Sequence, residues 1–153
     1  MSQRRVVVTG LGQISPVGNN VADAWQNLLA GVSGIGRITR FDAGELSAQI
    51  AGEVKDFQIG DYISAKEARR MDTFIHYGVA AALQAVADAG LDDYPALDKT
   101  RVGVNIGSGI GGLPSIEETG IVVHENGPRR INPFFIPGSL INLISGHVTI
   151  LKG

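Results

Sequence analysis

Two short apolar runs in this chain each stop at a glycine-rich loop, and helical patterns fill the space between them. Val6-Val7-Val8-Thr9 ends at Gly10-Leu11-Gly12, and Arg101 to Ile106 runs into Gly107-Ser108-Gly109-Ile110-Gly111-Gly112. A short apolar run closed by glycine reads as a buried strand, and Ala48 to Val54 reads as another. Between them, Asn20 offers an N-cap to a helix whose face carries Val21, Trp25, Leu28 and Leu29 and which Gly31 closes. Ser64 and Glu67 have the spacing of a capping box, and so do Ser115 and Glu118 ahead of a helix toward Glu125. Ile75, Val79, Leu83 and Val86 mark the stripe of a helix from about Asp72 to Ala89, with Gly90 as its C-cap. Alanines on the other faces of that helix predict close packing on several sides. Asn126-Gly127 reads as a turn, and Ser139 to about Leu151 as a buried helix. Strands alternating with helices predict an α/β fold with a mainly parallel sheet and right-handed crossovers.

The 153 residues suffice for one domain with a core, and 44% apolar against 18% charged residues excludes a disordered tail. A net charge of −2 gives no reason to expect a nucleic-acid partner. Cysteine is absent, so these residues hold no disulfide, thiolate metal site or cysteine nucleophile. His76, His124 and His147 lack ligand-like spacing, and no metal or cofactor is expected. Met1-Ser2-Gln3-Arg4-Arg5 leads into an apolar run too short for a secretory leader. Ile131 to Leu151 is uncharged but broken by Pro133, Pro137 and two asparagines, which argues for a buried segment and against a membrane span. A cytoplasmic location is expected.

Gly107-x-Gly109-x-x-Gly112 matches a dinucleotide fingerprint, but Pro114 stands where the helix should begin, and only Glu125 lies near the position of the ribose-binding acid. The first loop replaces the third glycine by Ser15 and reads as a tight loop supporting the core. Neither loop ends as a phosphate-binding P-loop does. Ser108 is flanked by Ile106 and Ile110, not by the glycines of a nucleophile elbow.

Lys66, Arg69 and Arg70 are spaced i, i+3, i+4 and so share one helix face, and Arg129 and Arg130 form a second basic pair. Two readings stand: a site for phosphate or an acidic partner helix, or a solvated face locally paired with Glu67. Pro133-Phe134-Phe135-Ile136-Pro137 holds an aromatic pair that fits core packing as well as a pocket wall or subunit interface.

Three stretches together resemble the start of the bacterial β-ketoacyl-carrier-protein synthase II family. They are Arg4-Arg5-Val6-Val7-Val8-Thr9-Gly10-Leu11-Gly12 with Ser15-Pro16-Val17-Gly18, then Ile106 to Leu113, and Gly127-Pro128-Arg129-Arg130-Ile131 through Pro133-Phe134-Phe135 to Pro137. Trp25, Leu28-Leu29-Ala30-Gly31 and Val54-Lys55-Asp56-Phe57 fit in order. Ile110 favours type II, since the type I relatives usually carry a further glycine there.

The resemblance implies a thiolase-like αβαβα layered fold, of which residues 1–153 would be the first part of the amino-terminal half. It implies an acyltransferase that performs decarboxylative Claisen condensation. A cysteine would take an acyl chain from acyl-loaded carrier protein as a thioester, and two histidines would help decarboxylate malonyl-loaded carrier protein. The family cysteine would lie a little beyond Gly153, and His76, His124 and His147 do not stand at the family's catalytic positions. These residues alone are therefore expected to be inactive, and the stop after an apolar helix is expected of a fragment. By motif match Ile110 would line the acyl pocket, and Phe135 with Phe134 would reach the partner subunit's pocket in a homodimer. Lys66, Arg69, Arg70, Arg129 and Arg130 match basic positions near the carrier-docking face. The alternative is a non-catalytic subunit of condensing-enzyme type that sets chain length or binds carrier protein.

Overall fold

The computed structural model describes residues 4–153; Met1 to Gln3, part of the stretch read against a secretory leader, lie outside them. The core is a helix pair, not a sheet. Helix α3 (Thr73–Asp88) packs on α6 (Leu143–Lys152), and Ile75, Val79, Ile144 and Val148 meet between them with almost no exposure. Close approach is possible because Gly78 has no side chain: a Cβ there would lie 2.6 Å from Cγ2 of Ile144. Ile63 and Ala68 close one end of this core.

The predicted local signals mostly hold. Helix α1 (Val21–Leu29) is N-capped by the Asn20 side chain, which accepts from the Asp23 N–H at 2.8 Å, and Gly31 leaves it with φ +67°. Helix α2 (Ala65–Ala68) has the reciprocal Ser64–Glu67 box. Asp72 caps α3, and Gly90 follows it at φ +65°. Helix α4 (Leu113–Asn126) ends at Gly127, φ +78°. No helix among the described residues is long and apolar enough to cross a membrane.

The predicted parallel sheet is not formed. Among the described residues the only sheet pairs β1 (Ile35–Arg37) antiparallel with β2 (Ile50–Gly52), Gly36 opposite Ala51. Strand β2 lies inside the predicted Ala48–Val54 run, but β1 falls outside every predicted strand. Among the described residues Val6–Thr9 and Arg101–Ile106 form no ladder, and Arg101 closes a 3-10 turn, Lys99–Arg101. The helices hold these regions through side chains instead. Leu11 N–H donates to Asp88 Oδ2 at 2.8 Å and Gln13 N–H to Gln84 Oε1 at 3.0 Å, both on α3. Ile106 N–H donates to Ser145 Oγ on α6 at 2.9 Å. Gly10 and Gly12 lie so close on α3 that a Cβ on either would collide with the carbonyl oxygens of Ala85 and Ala81. The Gly-x-Gly pattern and the alanine-rich helix are two sides of that one contact.

Two further expectations change. The helix predicted from Ser139 is two: α5 (Phe135–Ser139) and α6, separated by Leu140–Asn142. Ile144 and Val148 are buried as expected, but Leu140, Ile141 and Ile150 are exposed. Ser115 does not cap α4. The N-cap is Gly112, and Pro114 sits in the first turn, where its missing N–H costs nothing.

Candidate functional site

Helix α2 stops at Ala68, one turn after it starts. Arg69 is its C-cap and Arg70 lies beyond, so the helical face predicted for Lys66, Arg69 and Arg70 does not exist. The turn that replaces it carries Arg69 and Arg70 into a cleft of about 330 Å³. Arg130, Phe134 and Phe135 line the same cleft. Arg130 arrives on the short 3-10 turn Pro128–Arg130, and the two phenylalanines at the start of α5. Five predicted site residues thus meet, although they come from two stretches about sixty positions apart. Lys66 and Arg129 are exposed but do not line the cleft. Ile110 lies outside it and is 69% exposed.

Inside the cleft the Arg70 guanidinium carbon stands 4.4 Å from the centre of the Phe134 ring. Such a stack contributes about 0.5–1 kcal/mol where water reaches it, and it fixes the direction of a long side chain. Among the described residues the only ion pair within 4.0 Å is Lys152–Asp92, so none of the five predicted docking cations is paired. No cation comes within 4.0 Å of Glu67 among the described residues. Its carboxylate accepts from the Ser64 hydroxyl at 2.6 Å and from the Ser64 N–H at 3.2 Å, and these bonds, with a smaller pull from the charge of Arg70, hold it below the usual carboxylate range. Glu118 and Asp72 bring negative charge to the cleft.

Asp72 was legible in the sequence only as a helix start. Its Oδ1 accepts from Phe74 N–H at 3.4 Å, while its Oδ2 accepts from the hydroxyl of Ser115 at 2.5 Å and from the N–H of Ser115 at 3.2 Å. No local signal announces a partner 43 positions away. The same contact decides the nucleotide question. The N-terminus of α4, where a pyrophosphate would sit, already holds a carboxylate. Gly111 and Gly112 offer no cradle either: a Cβ on each would meet Ser139 at 2.7 and 2.9 Å, and Gly112 N–H donates to Ser139 O at 3.0 Å. Gly111 and Gly112, at the end of the glycine loop, press on α5, and Pro114, read as an obstacle to a helix, lies in the first turn of one.

On α6, burial holds the His147 imidazole below its ordinary value, against a weaker opposite pull from the Pro137 carbonyl and Glu67. Its buried Nε2 has no hydrogen-bond partner.

Known proteins resemble this chain in sequence and in fold. The chain is 51% identical over its whole length to 3-oxoacyl-[acyl-carrier-protein] synthase 2 of Vibrio harveyi and 51% to that of Coxiella burnetii. It spans 37% of the length of these curated relatives. Among solved structures, the ishigamide ketosynthase/chain length factor matches 97% of this chain and 37% of its own, with a TM-score of 0.78 and 30% identity. A type II PKS acyl-carrier protein in complex with its ketosynthase bound to the hexaketide matches at TM-score 0.78 and 27% identity, over 99% of this chain and 41% of that one. These neighbours carry the thiolase-like layered fold, so the predicted fold class holds although its sheet is not closed within these residues. Together with the model for the β-ketoacyl synthase N-terminal domain, which matches residues 3–153, they show that the chain belongs to the β-ketoacyl synthase family.

Proposed function

We propose that this chain is the amino-terminal part of a type 2 3-oxoacyl-[acyl-carrier-protein] synthase that elongates fatty acids by decarboxylative Claisen condensation. The observation that carries the proposal is 51% identity, unbroken across all 153 residues, to synthases of that name. In this reading the present residues supply scaffold, tunnel wall and docking surface. The thioester-forming cysteine comes from elsewhere in the full-length protein, since none occurs among these residues. A thiolate of that kind needs a lowered pKa, and its oxyanion needs backbone donors.

The cleft is the docking surface. Arg69, Arg70 and Arg130 present unpaired guanidiniums to an acidic helix of acyl carrier protein, with Lys66 and Arg129 at the margin as steering charge. Ile110, exposed beside the glycine loop, forms the acyl wall once the rest of the protein folds over it. Phe135, with Phe134, faces the partner subunit of a homodimer. The enzyme works in the cytoplasm and takes no cofactor. In the full-length protein, reversing Lys66, Arg69 and Arg70 together to Glu should slow association with acyl carrier protein by roughly tenfold or more at low salt. The loss should shrink once screening falls within a Debye length of ~8 Å. Unchanged carrier affinity at low salt would remove the docking assignment.

A second reading, a non-catalytic chain-length or carrier-binding subunit, draws on the 30% identity to the ishigamide ketosynthase/chain length factor. Acyl transfer onto the full-length protein separates the two. A stable acyl thioester is expected of the synthase and absent from the subunit.

A further inference from the structure

Three walls of the cleft converge on one side chain. The Arg69–Met71 segment ends at Asp72, whose own N–H donates to the Gly138 carbonyl at 3.0 Å and so fastens α5 to it. The fit there is tight, since a Cβ on Gly138 would lie 2.6 Å from the Arg70 carbonyl oxygen. The Asp72 carboxylate then reaches across to the first turn of α4 through the hydroxyl and N–H of Ser115. Gly112 is small where that carboxylate passes: a Cβ would stand 3.1 Å from Asp72 Oδ2. Helix α4 carries Glu118 and Val122 on the opposite wall. Two ties set the spacing between the Arg70–Phe134 stack and α4: the backbone bond from Gly112 N–H to the Ser139 carbonyl, and the bond between Asp72 and Ser115, which is the one a side-chain substitution can release.

We propose that Asp72, latched to Ser115, is the positioning residue that holds the basic cleft at its working width. This rests on the docking role proposed above. It makes a counter-intuitive forecast: Asp72 is an anion in an anion-seeking cleft, yet removing its charge should weaken docking. An acidic helix needs several guanidiniums in register at once, and a wall that drifts by about 1 Å forfeits that register.

The test measures affinity of the full-length protein for acyl carrier protein, at a temperature where circular dichroism shows every variant folded. Ser115→Ala, which removes the hydroxyl half of the latch and leaves only the longer N–H bond, without changing charge, should weaken binding by about fivefold, and Ser115→Thr should restore it. Asp72→Asn keeps an acceptor for Phe74 N–H and should also bind more weakly. In a double-mutant cycle, Ser115→Ala should cost little once Arg70 is already Ala. A rise in affinity for Asp72→Asn would mean that the residue acts by charge alone and would overturn the proposal. So would Ser115→Ala binding normally while Arg70→Ala does not, or costs that simply multiply in the cycle. If Arg70→Ala is itself silent, the docking reading fails and carries this inference down with it.

Discussion

Val6, Val7 and Val8 on the amino-terminal strap and Ile75 and Val79 on α3 are equally apolar, but water reaches the first three and not the last two. Val6 is 94% and Val8 79% exposed, whereas Ile75 and Val79 are fully buried. The helix carries its backbone bonds with it and needs only one partner face, which α6 supplies. An extended segment needs neighbours on both edges and both faces. Here the residues that follow, Gly10 to Gln13, meet the Ala81–Asp88 side of α3, while the valines themselves stay in water. The comparison teaches which parts of the sequence are self-sufficient and which wait for cover.

The largest expected effect lies in the helix pair. In the 153-residue chain, Ile75→Ala should cost about 2–5 kcal/mol in urea unfolding, as buried large-to-small changes do. Val6→Ala should stay within ~0.5 kcal/mol. The same pair of variants in the full-length protein sharpens the contrast, because Val6→Ala should become costly there if a ladder forms beside it. Equal costs in the short chain would break the comparison by showing that the strap is already covered.

A smaller effect is expected where the two regions touch. Gly12→Ala drives a Cβ against the Ala81 carbonyl, which is backbone and cannot rotate aside. Overpacking of this kind costs about 1–3 kcal/mol. Tolerance of alanine at Gly12, read as an unchanged urea midpoint, would mean that the strap rides loosely on the helix.

The smallest concerns pH and the α5–α6 side of the core. Burial holds the His147 pKa below the ordinary 6.5, so the unfolded chain binds the proton more readily than the folded one. The stability this gives is fully present above about pH 6.5 and is lost as pH falls through the folded-state value. Protonation would also place an N–H on the buried Nε2, which has no partner. His147→Gln should flatten stability against pH in that acidic window. A wild-type curve already flat there would show that water reaches the imidazole.

What was legible in the sequence follows from range. The Asn20 cap, the Ser64–Glu67 box and the Gly90 and Gly127 stops involve neighbours three or four positions apart, and all stand as read. Val6–Thr9 and Arg101–Ile106 have strand composition, but a strand is a relation between segments, and composition names only one party to it. Ser115 kept the spacing of a cap and spent its hydroxyl on Asp72 instead. The basic cluster was right as a cluster at Arg69 and Arg70 and wrong in its geometry. A turn after Ala68, not a helix face, aims the two arginines at Phe134 and Arg130. The family motifs reached furthest, because a match over many ordered positions carries tertiary information that periodicity does not.

The bonds that fasten the strap to α3 also set an order of events during synthesis. Leu11 and Gln13 meet Asp88 and Gln84, which follow them by 77 and 71 residues. Contacts of such long sequence separation close late, after the loop entropy between them has been overcome. A ribosome would have delivered more than half of this chain before Leu11 and Gln13 found the helix they bond to. Until then Val6-Val7-Val8 is a naked sticky segment of the nascent chain. Arg4 and Arg5, immediately ahead of it, are the charges best placed to keep that segment apart from its copies on neighbouring ribosomes.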